Sequence, residues 1–405
     1  MTAAAFAAIA LFVAAWTLLH VGFYKHKQVI DTPVYQRYGN AVADGKVPYR
    51  DFSVEYPPGA LPMFVLPALA ERGSDQQVST GFRRSFETLM WMCGAAALAS
   101  MAVVLRMLRR SNPNVWGALC FAAVAPLLLG SVILSRFDLW PAAICAVSLA
   151  ALVSNRLRLG HALLGLGITA KLFPVVFVPL GVAYAWKRAG QREALTCLAL
   201  VAGVVAAVFL PFVVLSPGGV WHSLSVQLSR PLQIESLGAS LLLVGHDVFG
   251  FGLAGETSHG SQNLAGTAAG VLAVASTLLQ VGVLAWIWSS FARGRGDGEA
   301  LVRSTAAALC AFVALGKVLS PQFLIWLIPI VPLVRGRRGL WASGLLAAAL
   351  VGTQMWFPFR YFRLALDFEA GLSWVLLARD VVLVAITVLL AFTLRRRAAI
   401  RPESP

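Results

Sequence analysis

The chain has 405 residues, of which 59% are hydrophobic and only 13% charged, and its mean hydropathy is +0.76. Soluble domains carry about 25% charged residues, so this composition excludes an ordinary soluble enzyme, a disordered chain and a nucleic-acid-binding domain. Apolar runs of about 20 residues, long enough to cross a bilayer, recur along the chain. They predict a single polytopic membrane domain over residues 1–405.

Apolar windows between charged residues predict an all-α bundle of about twelve transmembrane helices. The predicted spans are 5–23, 84–105, 115–134, 139–153, 160–170, 172–186, 193–215, 264–290, 301–318, 321–334, 339–357 and 371–394. Residues 160–186 are divided because a single crossing would move the basic residues after it to the outer side. The two short helices are expected to meet near Lys171 and Pro174. Residues 57–70 are too short to cross and are expected at the outer interface.

The distribution of the net charge of +15 gives the orientation. With the N-terminus inside, the cytoplasmic connections and the tail 395–405 hold 18 of the 33 basic residues but only four of the 18 acidic ones. The excess of positive charge therefore lies on the inner side, as the positive-inside rule requires. It predicts a multi-pass plasma-membrane protein that contacts anionic lipids, and it is no sign of nucleic-acid binding.

The first outer loop, 24–83, is predicted to contain an interfacial amphipathic helix. Asp31 or Thr32 is placed to cap it, Pro33 falls in its first turn, and the helical spacing ends at Gly45. The carboxylate of Asp31 is open to two interpretations: a helix cap, or a general base held just above the bilayer.

Glu55 and Tyr56 stand immediately before Pro57-Pro58 in the same loop. An acid beside a rigid turn is open to the same two kinds of interpretation. It either points into solvent or lines a site.

Four charged residues occupy tight corners that point outward in this topology. Arg136 and Asp138 lie between the third and fourth spans, Lys171 between the fifth and sixth, and Lys317 between the ninth and tenth. Ionisable groups at such depth usually face a cavity or a partner. The alternative is that each cation extends to the outer lipid phosphates.

The second large outer loop, 216–263, adds Arg230 and Glu235 and is predicted to form an interfacial helix over 237–249. Arg379 and Asp380 lie inside the last span. Neighbouring residues on a helix point about 100° apart, so these two are expected to pair with other helices rather than with each other.

Outward-facing cations with a nearby carboxylate suit a substrate that has an anionic head and a long apolar tail, such as a polyprenyl-phosphate sugar. Cations would neutralise the departing phosphate, and one carboxylate base suffices for an inverting transfer. The six His and five Cys residues are scattered without metal-ligand spacing, so no cofactor and no side-chain metal site are expected. A divalent ion held by carboxylates is left open.

Several segments together resemble glycosyltransferase family 87, the actinobacterial membrane mannosyltransferases of the GT-C superfamily that use polyprenyl-phosphate mannose. The resemblance is carried by D-x-x-V-Y, G-K-V-P-Y-R-D and E-Y-P-P within 31–58, RFDLWPA at 136–142, TAKLFP at 169–174, RPLQIES at 230–236 and KVLSPQFLIWLIP at 317–329. In that family the acidic residue at the start of the first outer helix is regarded as the catalytic base, and it matches Asp31.

The resemblance implies an inverting α-mannosyl transfer to a glycolipid or lipid-linked glycan on the outer face of the plasma membrane. Arabinosyl transfer is an open alternative, as is a secondary transporter or lipid flippase. The sequence shows no matching halves of the kind that is typical of transporters, which favours an enzyme. Asp31 is the candidate catalytic residue. From the topology, the candidate substrate-binding residues are Glu55, Tyr56, Arg136, Asp138, Lys171, Arg230, Glu235, Lys317 and Gln322.

Overall fold

The computed structural model describes residues 2–25, 29–73 and 77–392, so the predicted tail 395–405 lies outside the described residues. Helices make up most of this part of the chain. They are α1 Thr2–Leu18, α2 Thr32–Ala43, α3 Pro62–Ala70, α4 Thr80–Met107, α5 Asn112–Leu129, α6 Leu139–Val153, α7 Leu157–Ala170, α8 Val178–Leu215, α9 Pro217–Leu228, α10 Leu237–Phe249, α11 Thr267–Arg293, α12 Gly298–Leu315, α13 Leu324–Leu327, α14 Gly336–Gln354, α15 Tyr361–Ala365 and α16 Ala370–Ala391.

Six helical segments of the described chain are long and apolar enough to cross a membrane. They are Thr80–Met107, Asn112–Leu129, Phe173–Leu215, Thr267–Arg293, Gly298–Leu315 and Ala370–Ala391. Further apolar helices, among them α1, α6 and α7, are 10–17 residues long. The predicted all-α polytopic fold is confirmed, while the number of twelve crossings stays a prediction.

Helices α2 and α10 begin where the sequence predicts them. Helix α2 follows Asp31 directly, with a proline in its first turn. Helix α10 has its predicted bounds, and the Ser236 hydroxyl caps it by accepting from the Ala239 N–H at 3.4 Å. Their position at the membrane interface stays a prediction.

The predicted break near Lys171 is present. Helix α7 ends at Ala170, Lys171 is extended, and a 3-10 turn over Phe173–Phe177 leads into α8. A second interruption falls inside α8, where Gly190 has a φ of +84°. Glycine adopts this left-handed conformation without the steric cost that a Cβ brings, so the chain can change direction there.

A small antiparallel sheet lies within residues 232–265, where no strand is predicted. Its strands are β1 Leu232–Gln233, β2 Ala254–Ser258 and β3 Ser261–Ala265, in the order β1-β3-β2. His259 and Gly260 join β2 to β3 with φ values of +55° and +67°. Two consecutive positive φ values are typical of the type I′ hairpin turn. The strands are too short and polar to give an alternating apolar pattern.

The chain forms two compact units, Met1–Val178 with Leu195–Ser229, and Pro179–Ala194 with Arg230–Pro405. In the first, α4 packs against α1, α3 and α6. Its residues Phe82, Phe86 and Met90 are fully buried at helical spacing.

In the second unit, α16 packs against α10, α12 and α14. Leu376, Leu383 and Leu390 recur every seven residues on α16 and are buried. This spacing keeps one stripe of the helix in contact with its neighbours.

The close approach of α2 to α3 depends on Gly39. A Cβ built there would overlap the Phe64 carbonyl oxygen and lie 2.7 Å from the Ala68 Cβ. Gly39→Ala is therefore expected to destabilise the protein by about 1–3 kcal/mol, because helix backbones cannot move apart freely in a packed core. Melting in detergent measures this. Gly117→Ala is the control, since its Cβ would meet nothing within 4 Å in the described chain. Equal melting temperatures for both variants would contradict the packing argument.

Candidate functional site

The carboxylate of Asp31 is held by side chains rather than used as a helix cap. Asp31 occupies the N-cap position of α2, but its side chain makes no capping hydrogen bond. Its Oδ2 forms an ion pair with Nη1 of Arg136 and accepts a hydrogen bond from the Tyr35 hydroxyl at 3.4 Å. The Asp31 side chain remains 28% exposed. The carboxylate is thus fixed at one oxygen while the side chain stays open to small molecules.

Arg136 fixes both the side chain and the backbone of this region. Its guanidinium is almost fully buried, and its Nη2 donates to the Val29 carbonyl oxygen at 3.0 Å. Because both contacts come from one planar guanidinium, they fix the position of the Asp31 carboxylate relative to the Val29 backbone. Arg136, which the sequence suggests as a substrate-binding residue, is placed to orient Asp31.

A second ion pair lies beside the first. Lys171, just beyond the end of α7, places its Nζ 2.6 Å from Oδ1 of Asp138. The Asp138 side chain is 1% exposed, and the Lys171 ammonium lies 4.9 Å from the centre of the Phe137 ring. Burial makes such a pair depend on both partners, because either charge alone would be costly there.

Aromatic rings surround these charges. Tyr35 stacks on Phe64 at 4.5 Å between ring centres, and Phe137 meets Tyr56 edge-on at 4.9 Å. Burial raises the pKa of Tyr35 and of Tyr56 well above that of a free phenol, so both hydroxyls stay protonated and can donate hydrogen bonds. Tyr35 is absent from the sequence-derived site, although its position four residues after Asp31 places it on the same helix face.

Glu55 differs from the other candidates in the first unit because it is exposed. Its carbonyl oxygen accepts a hydrogen bond from the Gln227 side chain at 3.2 Å, which ties the loop to α9. The next residue, Tyr56, is held in turn: its carbonyl oxygen accepts from the Tyr49 hydroxyl at 2.6 Å. Hydrogen bonds from α9 and from Tyr49 therefore hold the backbone carbonyls of these two consecutive residues.

In the second unit, two distant segments form another polar cluster. The Gln233 N–H donates to the Lys317 carbonyl oxygen at 3.0 Å, and its side-chain amide donates to the Ser320 hydroxyl at 2.8 Å. These bonds join the segment that carries Arg230 and Glu235 to the turn that carries Lys317. Gln322, half-buried, lies in the 3-10 turn that follows. Gln233 and Ser320 are not among the sequence-derived candidates.

The second cluster has distinctive electrostatics. Glu235 is 2% exposed, and burial raises its pKa from 4.5 to about 7, although the charges of Arg379 and Arg230 oppose the shift. Burial lowers the pKa of Lys317, and the positive charge of Arg230 lowers it further. Two cations close enough to repel each other create a positive potential that attracts anions.

One expectation from the sequence is wrong. Arg379 and Asp380 do pair with each other, with Nε 3.0 Å from Oδ1. Adjacent helical positions diverge by about 100°, but the long arginine side chain can fold back along the helix. Arg379 also reaches outside its helix, since its Nη2 donates to the Glu235 carbonyl oxygen at 2.9 Å.

Within 2–25, 29–73 and 77–392, no group of three or more His, Cys, Asp or Glu side chains is arranged to hold a metal ion.

Comparison with known proteins gives one family and one fold. The sequence model of glycosyltransferase family 87 matches residues 54–321. The structure is similar to ArnT from Cupriavidus metallidurans bound to undecaprenyl phosphate, with a TM-score of 0.50 and 13% identity over 99% of this chain and 81% of that chain. The likeness shows a shared fold. The search among curated proteins found no match.

A weaker likeness is to the oligosaccharyltransferase of Archaeoglobus fulgidus tethered with an acceptor peptide. Its TM-score is 0.43 with 11% identity, over 96% of this chain and 55% of that one.

The raised pKa of Glu235 predicts a pH-dependent stability. Below pH 4.5 the Glu235 carboxyl group is neutral in the folded and unfolded states, so its protonation does not lower the free energy of unfolding. Between pH 4.5 and about 7 the unfolded chain releases the proton first, and stability falls. Glu235→Gln should abolish this part of the decline in melting temperature measured from pH 5 to 8. Glu256→Gln, on the exposed strand β2, serves as the control. If the melting temperatures of wild type and Glu235→Gln fell in parallel from pH 5 to 8, the raised pKa of Glu235 would be refuted.

Proposed function

Because the chain belongs to glycosyltransferase family 87, we propose that it transfers a mannosyl residue from a polyprenyl-phosphate donor to a glycolipid or lipid-linked glycan acceptor. Family membership favours a transferase over the transporter or flippase that the sequence alone leaves open. The observation that carries the mechanism is the Asp31 carboxylate, oriented by a buried arginine and partly exposed at the start of α2.

The proposed reaction is a single displacement. An acceptor hydroxyl oxygen attacks the anomeric carbon of the sugar on the face opposite the phosphate, while Asp31 takes the hydroxyl proton. The bond between the anomeric carbon and the phosphate oxygen breaks, and polyprenyl phosphate leaves with the electron pair. One displacement inverts the anomeric configuration, so one base is sufficient.

The contacts of Asp31 fit a base better than a structural charge. Arg136 and Tyr35 both engage Oδ2, which fixes the plane and direction of the carboxylate. A base that is already held in one orientation loses less conformational entropy when it accepts the proton in the transition state. The exposure of the side chain supports access of the acceptor.

We assign the donor phosphate to Arg230 and Lys317 in the second unit. Their mutual repulsion supports an anion site, because a bound phosphate relieves the repulsion. A polyprenyl-phosphate donor is also supported by the relative of the same fold that was solved with undecaprenyl phosphate bound.

The remaining candidates are assigned to uncharged parts of the substrates. The Asp138–Lys171 pair is neutral overall, so together with Tyr56 it suits sugar hydroxyls. Glu235 and Gln322 are assigned to hydroxyl groups near the donor phosphate, and exposed Glu55 to the acceptor. The excess of basic residues in the predicted inner connections supports a site on the outer side of the plasma membrane.

Asp31→Asn is expected to reduce sugar transfer by at least about 10²-fold while donor binding persists, because the amide cannot accept the proton. Membranes containing the variant are given labelled polyprenyl-phosphate mannose and a lipid acceptor. Asp44→Asn, at the exposed opposite end of α2, is the matched control and should behave as wild type. Wild-type turnover by Asp31→Asn would exclude Asp31 as the base.

The same assay distinguishes the sugar. Polyprenyl-phosphate mannose and polyprenyl-phosphate arabinose are supplied separately to the wild-type protein. Transfer from the mannose donor alone is expected. Transfer from the arabinose donor alone would overturn the mannosyl assignment and leave the role of Asp31 unchanged.

Arg230→Gln and Lys317→Met are each expected to raise the apparent KM for the donor about tenfold, since each removes one charge-assisted contact to phosphate. Initial rates at varied donor concentration measure this. Arg363→Gln is the control, because that arginine is exposed and pairs with Glu369. An unchanged KM in both test variants would exclude this phosphate site.

A further inference from the structure

A fully buried arginine lies inside the last membrane helix. The side chain of Arg379 on α16 has no exposed surface, and the residue lies beyond the segment that the family model matches. An arginine inside a membrane-spanning helix costs several kcal/mol unless it is compensated, and such residues usually mark functional sites. Its contacts indicate what this one does.

Three interactions with described residues hold the Arg379 guanidinium. Arg379 pairs with its neighbour Asp380, and its guanidinium lies over the indole ring of Trp356 at 5.5 Å from the ring centre. Its third contact is the hydrogen bond to the Glu235 carbonyl oxygen at 2.9 Å. The first two compensate the charge, and the third connects α16 to the outer segment Arg230–Ser236.

The segment Arg230–Ser236 is held at several points along its length. The Ile234 N–H donates to the Gln262 carbonyl oxygen at 3.1 Å, beside the pairing of β1 with β3. Gln233 bonds to the turn after α12, and Ser236 caps α10. Arg379 adds a charge-assisted hydrogen bond, the stronger kind, from the helix below.

We propose that Arg379 is a positioning residue for donor binding: it holds the Glu235 carbonyl and thereby fixes Arg230 where the donor phosphate binds. This inference rests on the proposed function of Arg230. Arg379 itself is fully buried, so it acts through the segment and not by touching the substrate. A displacement of about 1 Å in a binding group is enough to lower its contribution strongly.

The test compares donor binding among folded variants. The double variant Arg379→Gln/Asp380→Asn removes both buried charges. No unpaired charge remains in the helix, so the variant is expected to fold. Arg379→Lys keeps the positive charge but offers one donor nitrogen in place of the three of the guanidinium. Thr387→Val is the control in the same helix, because the Thr387 hydroxyl donates to the Leu383 carbonyl oxygen within α16. Binding of undecaprenyl phosphate, melting temperature and donor KM against kcat are measured for each purified protein.

The double variant is expected to fold and to bind undecaprenyl phosphate about tenfold more weakly, with donor KM changed more than kcat. Arg379→Lys should fall between it and wild type, and Thr387→Val should bind as wild type whatever its melting temperature. Wild-type affinity in the double variant overturns the inference. If that variant does not fold, wild-type affinity in Arg379→Lys overturns it.

The experiment separates this inference from the proposed function. Failure of wild type itself to bind undecaprenyl phosphate overturns both. Weaker binding by Arg230→Gln together with wild-type affinity in the Arg379 variants overturns only the positioning role.

Discussion

The pairing of buried charges is the constraint on which the polar cluster of the first unit depends. Arg136 and Asp138 are almost completely buried, and each is joined to an opposite charge from a distant part of the chain, Asp31 and Lys171. An unpaired charge in such surroundings would cost several kcal/mol, so each pair also fixes the segments that contribute to it. The same contacts that allow the charges to be buried therefore set the geometry of the candidate site.

The two clusters differ in electrostatic character. In the first unit, two carboxylates and two cations alternate and their charges cancel. In the second, Arg230 and Lys317 repel each other, and Glu235 has a pKa near neutrality. A charge-neutral cluster with one partly exposed carboxylate suits proton transfer and hydroxyl recognition, whereas a positive cluster suits phosphate. This difference underlies the separate roles proposed for them.

Much of the fold could be predicted from the sequence because its signals are local. Apolar windows give the polytopic helical fold, and capping residues give the starts of α2 and α10. The small sheet could not be predicted, because two-residue and five-residue strands in a polar segment carry no apolar alternation. The start of α2 identified Asp31 as a candidate, and charged corners identified Arg136, Asp138 and Lys171. Their pairing could not be predicted, because the ion pairs join residues 33 or more positions apart in sequence. The sequence also does not distinguish the roles of these four residues, because the roles depend on which side chains contact each other.

Arg379 illustrates why contacts change an interpretation that spacing alone suggests. From the sequence, a charged pair in a membrane helix indicates a site, and adjacency predicts that its members face different neighbours. In the structure one guanidinium serves both purposes: its Nε faces Asp380 on the same helix and its Nη2 holds Glu235 outside it. The planar group presents several donors in fixed directions, which a lysine ammonium cannot do. An arginine at this position can therefore be electrically compensated within its helix and still position a distant segment.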